Sequence, residues 1–94
     1  MPTKYAIDYT REFLRDAKRC RKRGLDMSLL EQVITILAEM GTLPMQYRPH
    51  KLSSKYAGHW ECHIQPDWLL VWRQDNDLLT LMFTNTGTHS DIFG

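Results

Sequence analysis

Residues 61–72 read Glu61-Cys62-His63-Ile64-Gln65-Pro66-Asp67-Trp68-Leu69-Leu70-Val71-Trp72. From Gly58 to Ile64, the apolar Trp60, Cys62 and Ile64 alternate with His59, Glu61 and His63. That is the period-two pattern of a strand with one buried face. Gln65-Pro66 interrupts it, because proline fixes φ and has no N–H to donate. Asp67 to Gln74 is then nearly continuously apolar, as expected of a central strand. Asp75-Asn76-Asp77 supplies a turn, and Leu78 to Asn85 a third strand. An antiparallel meander is the economical pairing.

The N-terminal half surrounds this sheet. Tyr5 to Tyr9 reads as a short strand with Tyr5, Ile7 and Tyr9 on one face. Thr10 is placed to cap a helix from Arg11 to about Arg23, with Phe13, Leu14, Ala17 and Cys20 as its apolar stripe and Gly24 as its stop. Ser28-Leu29-Leu30-Glu31 has the capping-box pattern. It opens a second helix, through Met40, with Leu30, Val33, Ile34, Leu37 and Met40 at helical spacing. Gly41 closes that helix. Residues 42–55, with Pro44, Pro49, Ser53 and Ser54, read as an irregular loop carrying His50 and Lys51. The expectation is one α+β domain over residues 1–94. A helical hairpin covers one face of the sheet, and the first strand joins that sheet.

Composition sets the limits. Ninety-four residues, 43% of them hydrophobic, suffice for one modest core and argue against disorder. No apolar run approaches the roughly 18 residues of a membrane span, and the N-terminus lacks a signal-peptide core, so a cytoplasmic protein is expected. Cys20 and Cys62 then read as free thiols, and their spacing is not that of a zinc ribbon. Net charge is only +1, but unevenly spread. Residues 1–23 hold eight Lys/Arg and three Asp/Glu (8 − 3 = +5), residues 24–94 four and eight (4 − 8 = −4). Arg15, Lys18, Arg19, Arg21, Lys22 and Arg23 make the first helix strongly basic, and Arg48, His50, Lys51 and Lys55 form a second acid-free patch. Such clusters attract phosphate backbones or an acidic partner.

The remaining signal is histidine. His50, His63 and His89 lie in polar or turn-rich settings, and Asp67 follows His63 across the turn. Imidazole, with an unperturbed pKa of about 6.5, exchanges protons readily near neutrality. If these groups converge at one rim, three readings compete. RNA can be cleaved without a metal by its own 2′-hydroxyl, given one base and one acid, with Lys51, Arg48 or Lys55 stabilising phosphorane charge. An aromatic ring such as Phe93 or Trp68 could hold a base by stacking. Three His and an Asp also match a zinc or iron ligand set in type, although no ligand-pair spacing supports it. Finally, each His could be an ordinary surface residue, as His59 is read to be. No serine-nucleophile motif or phosphate-cradling glycine loop is present.

Three segments taken in order carry a family resemblance. They are His50-Lys51-Leu52, Glu61 to Trp72, and Thr86-Gly87-Thr88-His89-Ser90-Asp91-Ile92-Phe93. With the order of elements, they make nearly the whole chain resemble the YafQ branch of the RelE/ParE toxin superfamily. The resemblance implies a RelE-like microbial RNase fold and a type II toxin that cleaves messenger RNA, usually on the ribosome. It implies catalytic positions at His50, His63, Asp67 and His89, with Lys51 and Phe93 contacting substrate, and neither metal nor other cofactor. His89 would be the acid for the leaving oxygen. Asp67 and His63 would handle the 2′-hydroxyl proton, and His50 and Lys51 would meet phosphate charge. The partners implied are mRNA, the ribosome and a cognate antitoxin of the DinJ/RelB type, with no membrane. The basic helix is expected to contact ribosomal RNA. This chain departs from some relatives in having Trp60 and Asn85 where they carry arginine, which shifts phosphate contact toward Lys51 or Arg73. The alternatives are a ParE-like, non-nucleolytic gyrase-binding toxin and a module that only docks antitoxin or ribosome.

Overall fold

A computed structural model describes residues 3–94. Five strands form one sheet: β1 (Ala6–Tyr9), β2 (His50–Lys51), β3 (His59–Gln65), β4 (Trp68–Asp75) and β5 (Thr80–Gly87), in the order β1-β5-β4-β3-β2. The helices are α1 (Arg11–Lys22), α2 (Met27–Met40) and a short C-terminal α3 (His89–Phe93). The expected meander is present, since β3, β4 and β5 pair antiparallel in sequence order. β1 takes the open edge of β5 and runs parallel to it.

The structure adds a strand that reading residues 42–55 as a loop did not foresee. His50 and Lys51 form β2, pairing antiparallel with Glu61 and Trp60 of β3. Two residues are too few to show a period, so nothing in composition announces this strand.

The main core lies between the helices and one sheet face. Phe13 and Cys20 of α1 and Leu30, Val33 and Leu37 of α2 pack with Cys62, Leu70, Trp72, Leu81 and Phe83. Trp60 stacks on Trp72 with ring centroids 6.2 Å apart. Both cysteines are buried and unpaired. Burial, and then Glu61, push the Cys62 thiol up to about 12, and burial raises the Cys20 thiol too, so neither position offers a reactive thiolate. On the opposite face a smaller cluster joins Leu69 and Val71 to Ile92 of α3, flanked by Leu52 and Tyr56. Among the described residues no helix is long and apolar enough to cross a membrane.

Local chemistry explains the helix ends. Thr10 Oγ1 accepts from the Phe13 N–H and donates to the Thr84 carbonyl, tying the start of α1 to β5. The capping box expected at Ser28 is not formed. Asp26 caps α2 instead, accepting from both the N–H and the hydroxyl of Ser28. A carboxylate two positions upstream is a stronger acceptor for the free N–H groups and favours the positive helix end. Two stripe residues turn outward, Leu14 on α1 and Met40 at the end of α2. Tyr5 is buried, but Ile7 and Tyr9 stay partly exposed because β1 is an edge strand, with Tyr9 stacked on Phe13. β5 starts and ends two residues later than expected, since Asp75 Oδ1 accepts from the N–H groups of Asp77 and Leu78 and extends the turn.

Gly41 ends α2 at φ +71°, and a Cβ there would meet the ring of buried Tyr5 at 2.5 Å. Gly41→Ala is expected to destabilise the protein by at least ~1–2 kcal/mol, the cost of the left-handed conformation alone. Gly58→Ala, at φ +87° in open space, carries only that conformational cost. Equal losses for the two in urea unfolding would contradict the packing role assigned to Tyr5 against Gly41.

Candidate active site

Side-chain alternation on β3 builds the site. Trp60, Cys62 and Ile64 go to the helix-covered core, so Glu61 and His63 point to the other face. His50 sits opposite Glu61 on β2 and shares that face. The β3–β4 turn carries Asp67, and Thr88 starts α3 so that His89 is its first residue. Four separate segments thereby bring His50, His63, Asp67 and His89 to one rim. Ring centroids lie 6.3 Å apart for His50 and His63, and 6.1 Å apart for His63 and His89.

His63 and His89 each have one ring nitrogen occupied. His63 Nδ1 lies 3.2 Å from the Pro66 carbonyl. A carbonyl only accepts, so Nδ1 carries the proton and Nε2 is the basic nitrogen of the neutral ring. Asp67 Oδ1 receives two donors from His89, the backbone N–H at 3.1 Å and the ring Nδ1 at 3.0 Å. His89 Nε2 is thereby the nitrogen left to exchange a proton with a ligand, from a side chain 58% exposed. The geometry therefore ties Asp67 to His89 through both of these bonds. The sequence reading had grouped it with His63.

His50 is held more tightly. Its Nδ1 lies 2.8 Å from the Arg48 carbonyl and its Nε2 3.2 Å from Glu61 Oε1. Both neighbours are acceptors, so the arrangement is satisfied by a ring carrying both protons or by a neutral ring with a protonated Glu61. Glu61 is 3% exposed, and its Oε2 is buried without a hydrogen-bond partner among the described residues. Sequence reading omitted Glu61 from the site. The signal was available, because alternation places it between His59 and His63 on the histidine face.

The supporting residues divide. Phe93 is 44% exposed, 6.0 Å from the His89 ring and edge-on to Tyr56. Trp68 is buried and donates its indole N–H to Thr86 Oγ1, so it offers no stacking face. Lys51 is paired with Trp60 and carries its ammonium over that indole at 5.6 Å, across the strand from His50. Arg73 pairs with His59 at the far end of β3. Arg48 shares with His63 a groove of about 230 Å3, also lined by Gln46 and Gln65. Asn85 is buried and donates to Glu12 at 2.7 Å and Asp16 at 3.4 Å. Its amide is thus committed to α1. Among the described residues, no three His, Cys, Asp or Glu side chains are grouped as metal ligands.

The His89 backbone N–H, and then the His89 ring, hold the Asp67 carboxyl below the usual carboxylate range. Such a group stabilises the fold fully above its unfolded value, about 3.9. The contribution is lost as pH falls through the lower folded value. Asp67→Asn should therefore lower Tm near neutrality, by an amount that shrinks as pH drops below about 4. A gap that stays constant with pH would show that the charge contributes nothing.

Comparison with known proteins identifies the family. Residues 5–94 match the family model described as "Bacterial toxin of type II toxin-antitoxin system, YafQ". The chain is 38% identical over 90 residues to the mRNA interferase toxin YafQ of Escherichia coli strain B/BL21-DE3, covering 94% of this chain and 95% of that protein. It superposes on the toxin in the crystal structure of the E. coli DinJ–YafQ complex with a TM-score of 0.87 at 35% identity, covering 96% of this chain and 99% of the other. A metal-bound toxin from Helicobacter pylori matches with a TM-score of 0.86 at 34% identity, covering 95% and 99%. By this match over residues 5–94 and these likenesses, the chain belongs to the YafQ family of bacterial type II toxin–antitoxin toxins.

Proposed function

We propose that this protein is the toxin of a type II toxin–antitoxin pair and an endoribonuclease that cuts messenger RNA on the ribosome. One observation carries the reading. His63 and His89 face each other across 6.1 Å, each with Nδ1 held by an acceptor and Nε2 left to exchange a proton. A phosphodiester between them meets a base on one side and an acid on the other.

The step balances as follows. Neutral His63 takes the 2′-hydroxyl proton at Nε2 while the 2′-oxygen bonds to phosphorus. The P–O5′ bond breaks, and protonated His89 gives its Nε2 proton to the departing 5′-oxygen. The products are a 2′,3′-cyclic phosphate and a 5′-hydroxyl. Asp67 orients His89 by accepting from its backbone N–H and its Nδ1. His50, fixed by Arg48 and Glu61, faces the developing phosphorane charge, and Arg48 adds a guanidinium beside His63. Phe93 offers a surface for a splayed base. With Asn85 committed to α1, phosphate contact falls to His50 and Arg48, with Lys51 reaching RNA from the other side of β2.

Partners follow from the relatives and the charge. A cognate antitoxin of the DinJ type is supported by the E. coli complex, and all these partners meet in the cytoplasm. Arg11, Arg15, Lys18, Arg21 and Lys22 are exposed on α1, whereas Arg19 is engaged with Asp16. These exposed side chains are the groups available to ribosomal RNA.

Purified protein, stripped of bound metal with EDTA and dialysed before it meets ribosomes and a message, should still yield defined cuts when mapped by primer extension. His63→Ala and His89→Ala should each lower the cleavage rate by about 100-fold or more, the usual worth of a general acid or base. Undiminished cuts in both variants would remove the catalytic assignment. Cuts abolished by that stripping would favour a metal, and inhibited gyrase with intact RNA a ParE-like toxin. Charge reversal at Lys18 and Lys22 should weaken ribosome association and flatten its salt dependence. Unchanged binding would assign that helix face to another partner.

A further inference from the structure

Helix α3 carries His89 and Phe93 but is only five residues long, too short to hold itself in water. Its position depends on what ties it down. Asp91 is the hub. Its Oδ2 accepts from the Thr88 N–H at 2.9 Å, while Thr88 Oγ1 accepts from the Asp91 N–H at 3.1 Å, a complete capping box. The same carboxylate receives both terminal nitrogens of Arg23, at 2.5 and 3.0 Å, in a bidentate pair with the end of α1. Arg19 approaches it at 3.9 Å while also bonding Asp16, which accepts the Thr86 N–H at the open edge of β5. Gly87 makes room for this hub. It sits at φ +148°, and a Cβ there would meet Asp91 Oδ2 at 2.7 Å.

We infer that the Arg23–Asp91 ion pair is a clamp that positions His89 for proton transfer, with Arg23 and Asp91 acting as positioning residues from outside the reacting groups. Two features separate this from a generic surface salt bridge, which contributes little. Asp91 is only 13% exposed at its side chain, and the planar fork of Arg23 fixes direction as well as distance. Arg23, then burial in the opposite sense, then Thr88, leave the Asp91 carboxyl well below the ordinary carboxylate range. Ile92 anchors the far side of α3 against Leu69 and Val71, so the clamp and the apolar anchor grip the helix from two directions. Loss of the clamp leaves α3 hinged on Ile92, with the His89–Asp67 contact free to open.

The inference rests on His89 being the proton donor, and the test keeps the two ideas apart. Single-turnover cleavage is measured for Arg23→Ala, Arg23→Lys, Asp91→Asn and the Arg23→Ala/Asp91→Asn pair, each in wild-type and His89→Ala backgrounds. Asp91→Asn retains an oxygen to accept from Thr88, so it removes the ion pair while leaving the cap. The expected result is a tenfold or greater fall in the cleavage rate for Arg23→Ala and for Asp91→Asn, with KM within twofold of wild type. The double variant should be no worse than either single, Arg23→Lys should recover part of the rate, and none should slow the His89→Ala protein further. Imidazole NMR of Arg23→Ala, which also reports whether the variant is folded, should show weakening of the His89–Asp67 hydrogen bond. Wild-type rates in the clamp variants, or equal losses with and without His89, would overturn the clamp while leaving His89 as the acid. A wild-type rate in His89→Ala itself would overturn both.

Discussion

The pairing of β3 with β4 is the constraint on which the rest of this molecule depends. Trp60 to Trp72 must place Trp60, Cys62, Leu70 and Trp72 on one face, because α1 and α2 bury that face. Period two then leaves no choice about Glu61 and His63, which emerge on the other side. A slip of one residue would bury His63 and expose Cys62, exchanging core for site. The register that stabilises the fold is thus the register that builds the chemistry. The bulge between His63 and Gln65 adds the turn that lets the Pro66 carbonyl reach His63 Nδ1.

Around that hairpin the site is assembled from chain ends and edges. β2 brings His50 to Glu61 through only two paired residues. α3 brings His89 to Asp67 through a five-residue helix. Neither segment has an apolar face large enough to hold itself. Both are fixed by polar contacts that double as parts of the site, His50 to Glu61 and His89 to Asp67. A line of polar contacts through Thr86, Asp16, Arg19, Asp91 and Arg23 joins the end of β5 and α3 to the basic helix. Stability and the alignment of His89 are therefore linked through α3, where a small domain has least core to spare.

Strands β1, β3, β4 and β5, both long helices and the meander are legible because their signals are periodic and local. Trp60, Cys62 and Ile64 announce β3, and Thr10 and Gly41 mark helix ends through side-chain chemistry that acts over a few residues. What was not legible depends on distant partners. Asp16 looks like part of a solvated helix face, yet it is buried because β1 ends at Tyr9 and leaves the Thr86 N–H without a strand partner. Asn85, read as a missing phosphate grip, bonds across to Glu12 instead. β2 is shorter than any pattern can reveal. The four site positions came from the family resemblance and the residue types. Their division into an Asp67–His89 pair, a Glu61–His50 pair and a singly held His63 required the tertiary contacts. Lys51 shows the limit of chain proximity, because one residue's step along β2 turns it away from His50.

The central claim is that His89 protonates the leaving 5′-oxygen while His63 removes the 2′-proton. A substrate with sulfur in place of the bridging 5′-oxygen tests it most directly, because a thiolate leaves without protonation. With ribosomes and a message carrying this substitution at a mapped cut, His89→Ala is expected to cleave at close to the wild-type rate, while His63→Ala remains impaired. If His89→Ala is as defective on the sulfur substrate as on the natural one, His89 is not the general acid, and the account of the site built on its Nε2 is wrong.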